Sequence, residues 1–287
     1  MMLLRSYVIV FSEDRKLRVS AAEEVLSPKV RQSGGAIVIG TQTLEQSLDI
    51  DSDLLVTDPC PADVLLQPIG RLHRHATSPS PNGCEKPACY VLAPEEGLAG
   101  LLKPAFENGL GAWRENGVLN GIYRDLSILE LTQRLVIEQT EWHLPSMNRM
   151  LVETATHPQR IELLHEELGV EWRKYWNDVI GAEIANRGMA RNVLLPFQVP
   201  FAEVLFPTDE ERIRTRLGGK GARITFTEPV RGPFGELVTG LTLPAHWSHG
   251  LQTCEPIGPD LRGEVLILTI GNNTFTYDRR GITRTKQ

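Results

Sequence analysis

AIVIGTQTLEQSLDIDSDLLVTDPCPADVLLQPIGRLHRH, residues 36–75, decides the fold of this chain. Residues 36–39 are a short apolar run, the pattern of a buried strand, and the run stops at Gly40. Thr41 and Gln42 follow as polar side chains at its C-terminal edge. Ligands of an open parallel sheet bind at the carboxyl ends of its strands. A polar turn and a short helix lead to a second apolar run at 54–57, which ends at Asp58-Pro59. From 62 to 75 the pattern is helical. It carries Gln67, Gly70, Arg71, His73, Arg74 and His75 within nine residues. Arg71 and Arg74 are three apart, so a helix puts both on one face. The plain alternative is a basic surface helix beside an ordinary strand–loop–helix.

GTQTLEQSLDID, 40–51, resembles motif V of a superfamily 2 helicase. QPIGRLHRH, 67–75, resembles motif VI, written Q-R-x-G-R-x-x-R. The EQSLDID wording with GRLHRH downstream is similar to the CRISPR-associated helicase-nuclease of type I systems, the motor recruited by the Cascade surveillance complex. FENGLGAW (106–113), GIYRDLSILELT (121–132), FPTDEERIRTRLG (206–218) and FTYDRRGI (275–282) resemble the C-terminal half of the subtype I-U version. The resemblance covers most of the chain, from about residue 13 to the end.

The resemblance implies an ATP-hydrolysing cleft between two RecA-like lobes, with ATP and Mg2+ as cofactors of the complete family protein. Phosphoryl transfer needs charge stabilisation more than covalent help, and an arginine finger contributes ~10³–10⁵ in rate. By the family pattern Arg74 is that finger and Arg71 its partner at the phosphates. Gln67 and Gly70 belong to the nucleotide site. Thr41 and Gln42 face the backbone of single-stranded DNA, and Asp49 and Asp51 link that contact to the nucleotide. One departure stands out: the family has Arg after the motif VI glutamine, and this chain has Pro68. Proline inside a helix removes a donor and clashes with the preceding turn, at ~3 kcal/mol or more. Two readings stay open, a copy that has lost function or a motif VI displaced in this chain.

A complete motor needs a phosphate-binding G-x-x-x-x-G-K-[ST] loop, and the sequence contains none. Gly218-Gly219-Lys220-Gly221 lacks both the spacing and the Ser/Thr for magnesium. Asp209-Glu210-Glu211 follows motif VI rather than preceding it, and Thr208 with Glu211 reads as a helix capping box. No His-Asp pair suggests the family's nuclease domain. The chain reads as the distal part of a longer protein that carries the nuclease domain and the first motor lobe. Alone it is expected to need no cofactor and to hydrolyse no ATP.

The 287 residues leave room for one or two domains with real cores. No apolar run approaches the ~20 residues of a membrane span. Met1-Met2-Leu3-Leu4-Arg5 lacks a signal-peptide cleavage site, so the cytoplasm is the expected compartment. The net charge of −6 confines any DNA contact to a local surface. Cys60, Cys84, Cys89 and Cys254 are too scattered for a disulfide framework. His73 and His75 with Cys84 and Cys89 can be drawn as a zinc site, but the spacing is not that of a standard finger, and no metal is expected.

The expected class is α/β: a partial RecA-like parallel-sheet lobe over 1–92, a helical linker region over 93–192 and a small mixed α+β accessory domain over 193–287. In the lobe, 6–11 reads as a strand, 13–26 as a helix and 88–92 as a further strand, around the Pro/Ser/Gly-rich loop 76–87. A lobe that begins midway leaves an apolar sheet edge open. Residues 98–189 have a helical pattern, clearest at 124–138. Trp172 and Trp176, one turn apart, fit core packing better than base stacking. His143, His157 and His165 have no ligand spacing. Strand-like runs follow at 197–206 and 223–227, then 237–243, 264–270 and 274–278 as an antiparallel sheet. The charged helix 208–217, with Arg212, Arg214 and Arg216, reads as a solvated face, and Trp247 as a packing residue. The leading expectation is a C-terminal fragment of the CRISPR helicase. The second is a non-catalytic adaptor or split subunit docking on Cascade or a separate motor chain. An unrelated superfamily 2 helicase fragment is disfavoured by the C-terminal strings.

Overall fold

The structure, a computed structural model, describes residues 2–5, 12–27, 35–40, 49–75, 80–103, 109–115, 118–192, 198–204, 222–243, 247, 251 and 255–285. The chain divides into two interleaved units. Met1–Asp51, His75–Ser78 and Thr215–Gln287 form the first; Ser52–Arg74 and Pro79–Arg214 form the second. The mixed α/β class expected from the sequence is the class observed.

In the first unit β1 (Met2–Arg5) and β2 (Ala36–Ile39) pair in parallel, Met2 opposite Ala36 and Arg5 opposite Ile39. Parallel partners need a crossover connection, and α1 (Ser12–Val25) lies within it. The run 6–11, read as a strand, lies outside the described residues. The C-terminal part is antiparallel. β7 (Arg223–Arg231) and β8 (Leu237–Thr242) make a hairpin. β9 (Asp260–Arg262), β10 (Val265–Ile270), β11 (Asn273–Asp278) and β12 (Gly281–Thr285) make a meander in that order. Alternation along the strands sends every second side chain inward. Ile224, Phe226, Val238, Leu241, Leu266, Leu268, Phe275, Tyr277 and Ile282 thereby share one core. Trp247 packs against it, its ring centroid 6.0 Å from that of Phe275. Gly240 is required where β8 crosses β7, because a Cβ there would overlap the Ile224 carbonyl oxygen. Arg18 of α1 is buried against the same unit: its guanidinium lies 4.5 Å over the Phe234 ring and donates to the Arg279 carbonyl. The helix expected at 208–217 lies outside the described residues.

In the second unit β3 (Leu54–Thr57) and β4 (Ala88–Val91) pair in parallel, Leu54 opposite Ala88 and Thr57 opposite Val91. α2 (Ala62–Ile69) buries Ala62 and Leu65. The helical body is α3 (Leu126–Glu138), α4 (Asn148–Thr156), α5 (Pro158–Leu168) and α6 (Val170–Asn192). Asp125 caps α3, accepting from the Ser127 and Ile128 amides at 2.9 and 3.3 Å. His157 caps α5 through Nδ1, with Pro158 at the first position, where a missing N–H costs nothing. Arg134 ties α3 to α5, its guanidinium donating to both Glu167 carboxylate oxygens at 2.7 and 2.9 Å. The core of this body is Leu98, Ala112, Leu119, Leu126, Leu129, Trp172, Tyr175 and Val179. Trp172 is thus a packing residue.

Two expectations fail here. The helical stretch 98–189 is interrupted by a hairpin, β5 (Trp113–Glu115) with β6 (Val118–Asn120). Glycines open and close it: Gly111 has φ +76° and Gly121 φ +132°, where a Cβ on Gly121 would overlap the Gly111 carbonyl. Its anchor is non-local. The Tyr175 hydroxyl accepts from the Ala112 amide at 2.7 Å and donates to the Arg124 carbonyl at 2.8 Å. The second failure lies in 197–206, where Phe201–Glu203 form a 3-10 turn rather than strand. Pro200 precedes it and cannot donate to a ladder. Among the described residues no helix is long and apolar enough to cross a membrane.

Candidate nucleotide site

β2 ends before Gly40, as the sequence suggests, but it is not the buried strand its apolar run implied: Ile37 and Ile39 are 44% and 48% exposed. Thr41 and Gln42, the expected DNA contacts, lie outside the described residues. Asp49 and Asp51 belong to the first unit. The Asp49 carboxylate, largely exposed, sits 3.1 Å from His75 Nε2. Asp51 is buried at 7% exposure, and its amide donates to the Leu26 carbonyl at 2.9 Å.

The other motif residues lie in the second unit, and their local structure corrects the sequence reading. The helix stops at Ile69, so Arg71 and Arg74 do not share a helical face. Three successive amides close the end: Gly70 donates to Leu66, Arg71 to Pro68 and Leu72 to Ile69. The chain then runs beside Ser52 as a parallel bridge, Leu72 opposite Ser52. Ser52 donates to the Arg71 carbonyl and accepts from the His73 amide, both at 3.1 Å. A two-sided backbone bond to the segment after motif V thus replaces the next helical turn.

Gln67 lies exposed on the last turn of α2. Pro68 is the helix's second-last residue, so little helix remains for it to kink. Gly70 sits at the cap with φ −64°, and a Cβ there would meet the Leu66 carbonyl oxygen at 3.3 Å. Arg71 is 9% exposed, whereas Arg74 is exposed. Between them His73 has φ +47°, the only non-glycine residue with positive φ among those described. Its Nε2 lies 3.6 Å from the Asp53 carboxylate and its Nδ1 3.5 Å from the Ser80 hydroxyl. Reading 62–75 as one helix missed the left-handed turn at His73 and the bridge to Ser52. The available signal was the polar–apolar–polar order Arg71-Leu72-His73, which suits an extended bridge as well as a helix.

The side chains present fit a phosphate chain in part. Arg71 and Arg74 supply cations suited to phosphate oxygens. The sequence holds no glycine-rich phosphate cradle, and among the described residues no three His, Cys, Asp or Glu side chains gather as a metal site. Burial pushes the Cys89 thiol up to about 11, which leaves it a neutral packing group. A cleft of about 260 Å³ in the same unit is lined by Arg114, Leu119, Lys174 and Tyr175 among others, and by no motif residue.

Two pairs of parallel strands and a helix running into an arginine-bearing turn are the geometry the described residues give this region. Residues 2–77 match the family described as CRISPR-associated nuclease/helicase Cas3, C-terminal. The CRISPR-associated endonuclease/helicase Cas3 of Escherichia coli K12 is 42% identical over 84 residues, which is 29% of this chain and 10% of that protein. The Streptococcus thermophilus Cas3 is 57% identical over 56 residues, 20% of this chain and 6% of that protein. Solved structures of T. fusca Cas3 alone and with ATP superpose over 98% of this chain and 36% and 35% of theirs, with TM-scores of 0.66 and 0.64 at 18% identity. A CRISPR RNA-guided surveillance complex before nicking contains a chain matched over 98% of this one and 37% of its own, at TM-score 0.60 and 19% identity. The chain spans about a tenth of the first curated relative it resembles and about a third of the solved ones.

Proposed function

We propose that this chain is the C-terminal portion of a Cas3-like motor that moves along single-stranded DNA at the expense of ATP in antiviral defence, acting with a Cascade-type surveillance complex. In this reading 1–92 is part of the second motor lobe, 93–192 a helical linker and 193–287 an accessory domain. Arg74 and Arg71 stabilise the phosphates, Gln67 and Gly70 shape the nucleotide site, Asp49 and Asp51 connect it to the track, and Thr41 and Gln42 touch the DNA backbone. ATP, with Mg2+, is the cofactor of the whole protein. The observation that carries the proposal is the order of the two motif-like segments within the matched residues 2–77.

The chain by itself has arginines without a phosphate cradle. Purified, it is expected to show no ATPase above background, with or without single-stranded DNA. Turnover that disappears in Arg74→Ala would overturn the fragment reading, since a complete site would then exist in these 287 residues. The adaptor reading draws on the separate, well-filled β core of 223–285 and on the surveillance-complex neighbour. Sequencing the DNA immediately upstream separates the two. A phosphate-binding loop and acidic box there support a split or truncated motor; intact unrelated sequence supports the adaptor.

A further inference from the structure

We propose that His73 is the positioning residue of the arginine turn: its left-handed backbone carries the chain from buried Arg71 to exposed Arg74. The inference rests on the functional reading above. Residues other than glycine pay for φ near +50° because Cβ crowds the following carbonyl, and histidine is among the few types enriched there. Such a conformation persists only where its surroundings over-determine it. Here they do so on three sides. The amide of His73 is held by the Ser52 carbonyl, and the preceding Arg71 carbonyl by the Ser52 amide. The imidazole lies between the Asp53 carboxylate at 3.6 Å and the Ser80 hydroxyl at 3.5 Å. The helix has already ended at Ile69, so α2 itself cannot direct Arg74. The extended bridge would carry the chain onward beside Ser52. The reversal at His73 ends the bridge after Leu72 and releases Arg74 to the surface.

The test uses the full chain and inorganic tripolyphosphate as the probe, followed by the Nε–Hε resonances of arginine side chains, with Arg71→Ala and Arg74→Ala for assignment. In the unmodified chain Arg71 and Arg74 should move together with one apparent affinity. His73→Ala, which disfavours the left-handed turn, should weaken the Arg74 response about tenfold, the factor that ~1.4 kcal/mol supplies, while Arg71 still responds. His73→Asn and His73→Gly, which tolerate positive φ, should stay within about threefold of the original. A merely structural histidine would lower the melting temperature and both arginine responses together, with no recovery in Asn or Gly. An unaltered Arg74 response in His73→Ala overturns the inference alone, as do Asn and Gly variants as weak as Ala. If neither arginine responds in the unmodified chain, the positioning inference is overturned, while the functional reading is judged separately by the upstream sequence and the ATPase of the chain.

Discussion

His165 is an ionisable residue with 2% of its surface exposed. Its Nε2 lies 2.9 Å from the Ser127 hydroxyl, and its Nδ1 has no hydrogen-bond partner in the structure. Desolvation is the largest influence and holds its pKa below the ordinary value; Arg173 acts in the same direction, and Glu162 and Asp125 oppose it. The folded chain therefore binds this proton more weakly than the unfolded chain. Its stabilising share is complete above the unfolded value of ~6.5 and is lost as pH falls from there toward the folded value. Asp125 runs the other way. Burial raises its pKa against the pull of its two capped amides, so its stabilising share is complete below the ordinary carboxylate value and is lost as pH rises through the raised folded value. The urea midpoint is expected to drop as pH falls below about 6.5, and His165→Gln should flatten that drop. An equally steep slope in the variant would place the titrating group elsewhere. Of the surface or ordinary core place that the sequence left open for His165, the structure gives the core one, between Ser127 and the Trp176 ring, 5.4 Å away.

At the scale of elements, the β5–β6 hairpin meets α6 through the exposed Arg114–Asp178 pair, through Leu119 in the shared core, and through the buried Tyr175 hydroxyl that holds both its ends. Tyr175→Phe leaves the Ala112 amide and the Arg124 carbonyl without the partner they now share. Each unmade buried bond costs ~1–3 kcal/mol. The variant should therefore lose ~2–4 kcal/mol in urea denaturation, with amide exchange accelerated in the hairpin before the rest of the helical body. Loss spread evenly over α3 to α6 would contradict this. The burial that makes the hydroxyl useful also pushes its pKa up to about 12, so it stays a donor under all ordinary conditions. The hairpin also shows where sequence reading ran out. The strands of the C-terminal sheet announce themselves, because Val265–Ile270 and Asn273–Asp278 alternate over six residues each. Strands of three residues carry no period, and their stability comes from α6, far along the chain. The same holds for α2. Its start and its apolar face were legible, but its end is fixed by the backbone of Ser52, which no local pattern around Gly70 encodes. The motif residues were legible as types in order; their placement, one arginine buried and one exposed across a left-handed turn, was not.

For the molecule as a whole, the β3–β4 pair leaves one face open. Val56 opposite Tyr90, with Leu54 and Leu92, lies 47 to 60% exposed. The sequence anticipated an open edge; the apolar surface is a face, of the kind that another protein segment covers. A separate chain supplying a first motor lobe and a phosphate-binding loop is the partner implied by the functional proposal, and mixing the two tests it. In the functional proposal, the segment read as motif VI has Pro68 where the family has its first arginine. From the sequence, Pro68 is a defect of both charge and helix geometry. In the structure it precedes only Ile69, its carbonyl still accepts from the Arg71 amide, and both remaining arginines lie beyond the helix on a turn that Ser52 holds. The backbone at Pro68 therefore has little influence on where Arg74 goes, and the missing guanidinium is the larger loss. The mixture is expected to show weak DNA-stimulated ATPase at best. Pro68→Arg should raise it at least about tenfold, equivalent to ~1.4 kcal/mol of barrier, and Pro68→Ala should leave it nearly unchanged while adding one amide able to reach the Val64 carbonyl. If alanine recovers as much turnover as arginine, the backbone was the defect and the geometry of α2 has been misjudged. If neither variant raises turnover in a stably assembled pair, Arg71 and Arg74 do not act at the nucleotide in this chain, and the adaptor reading takes its place.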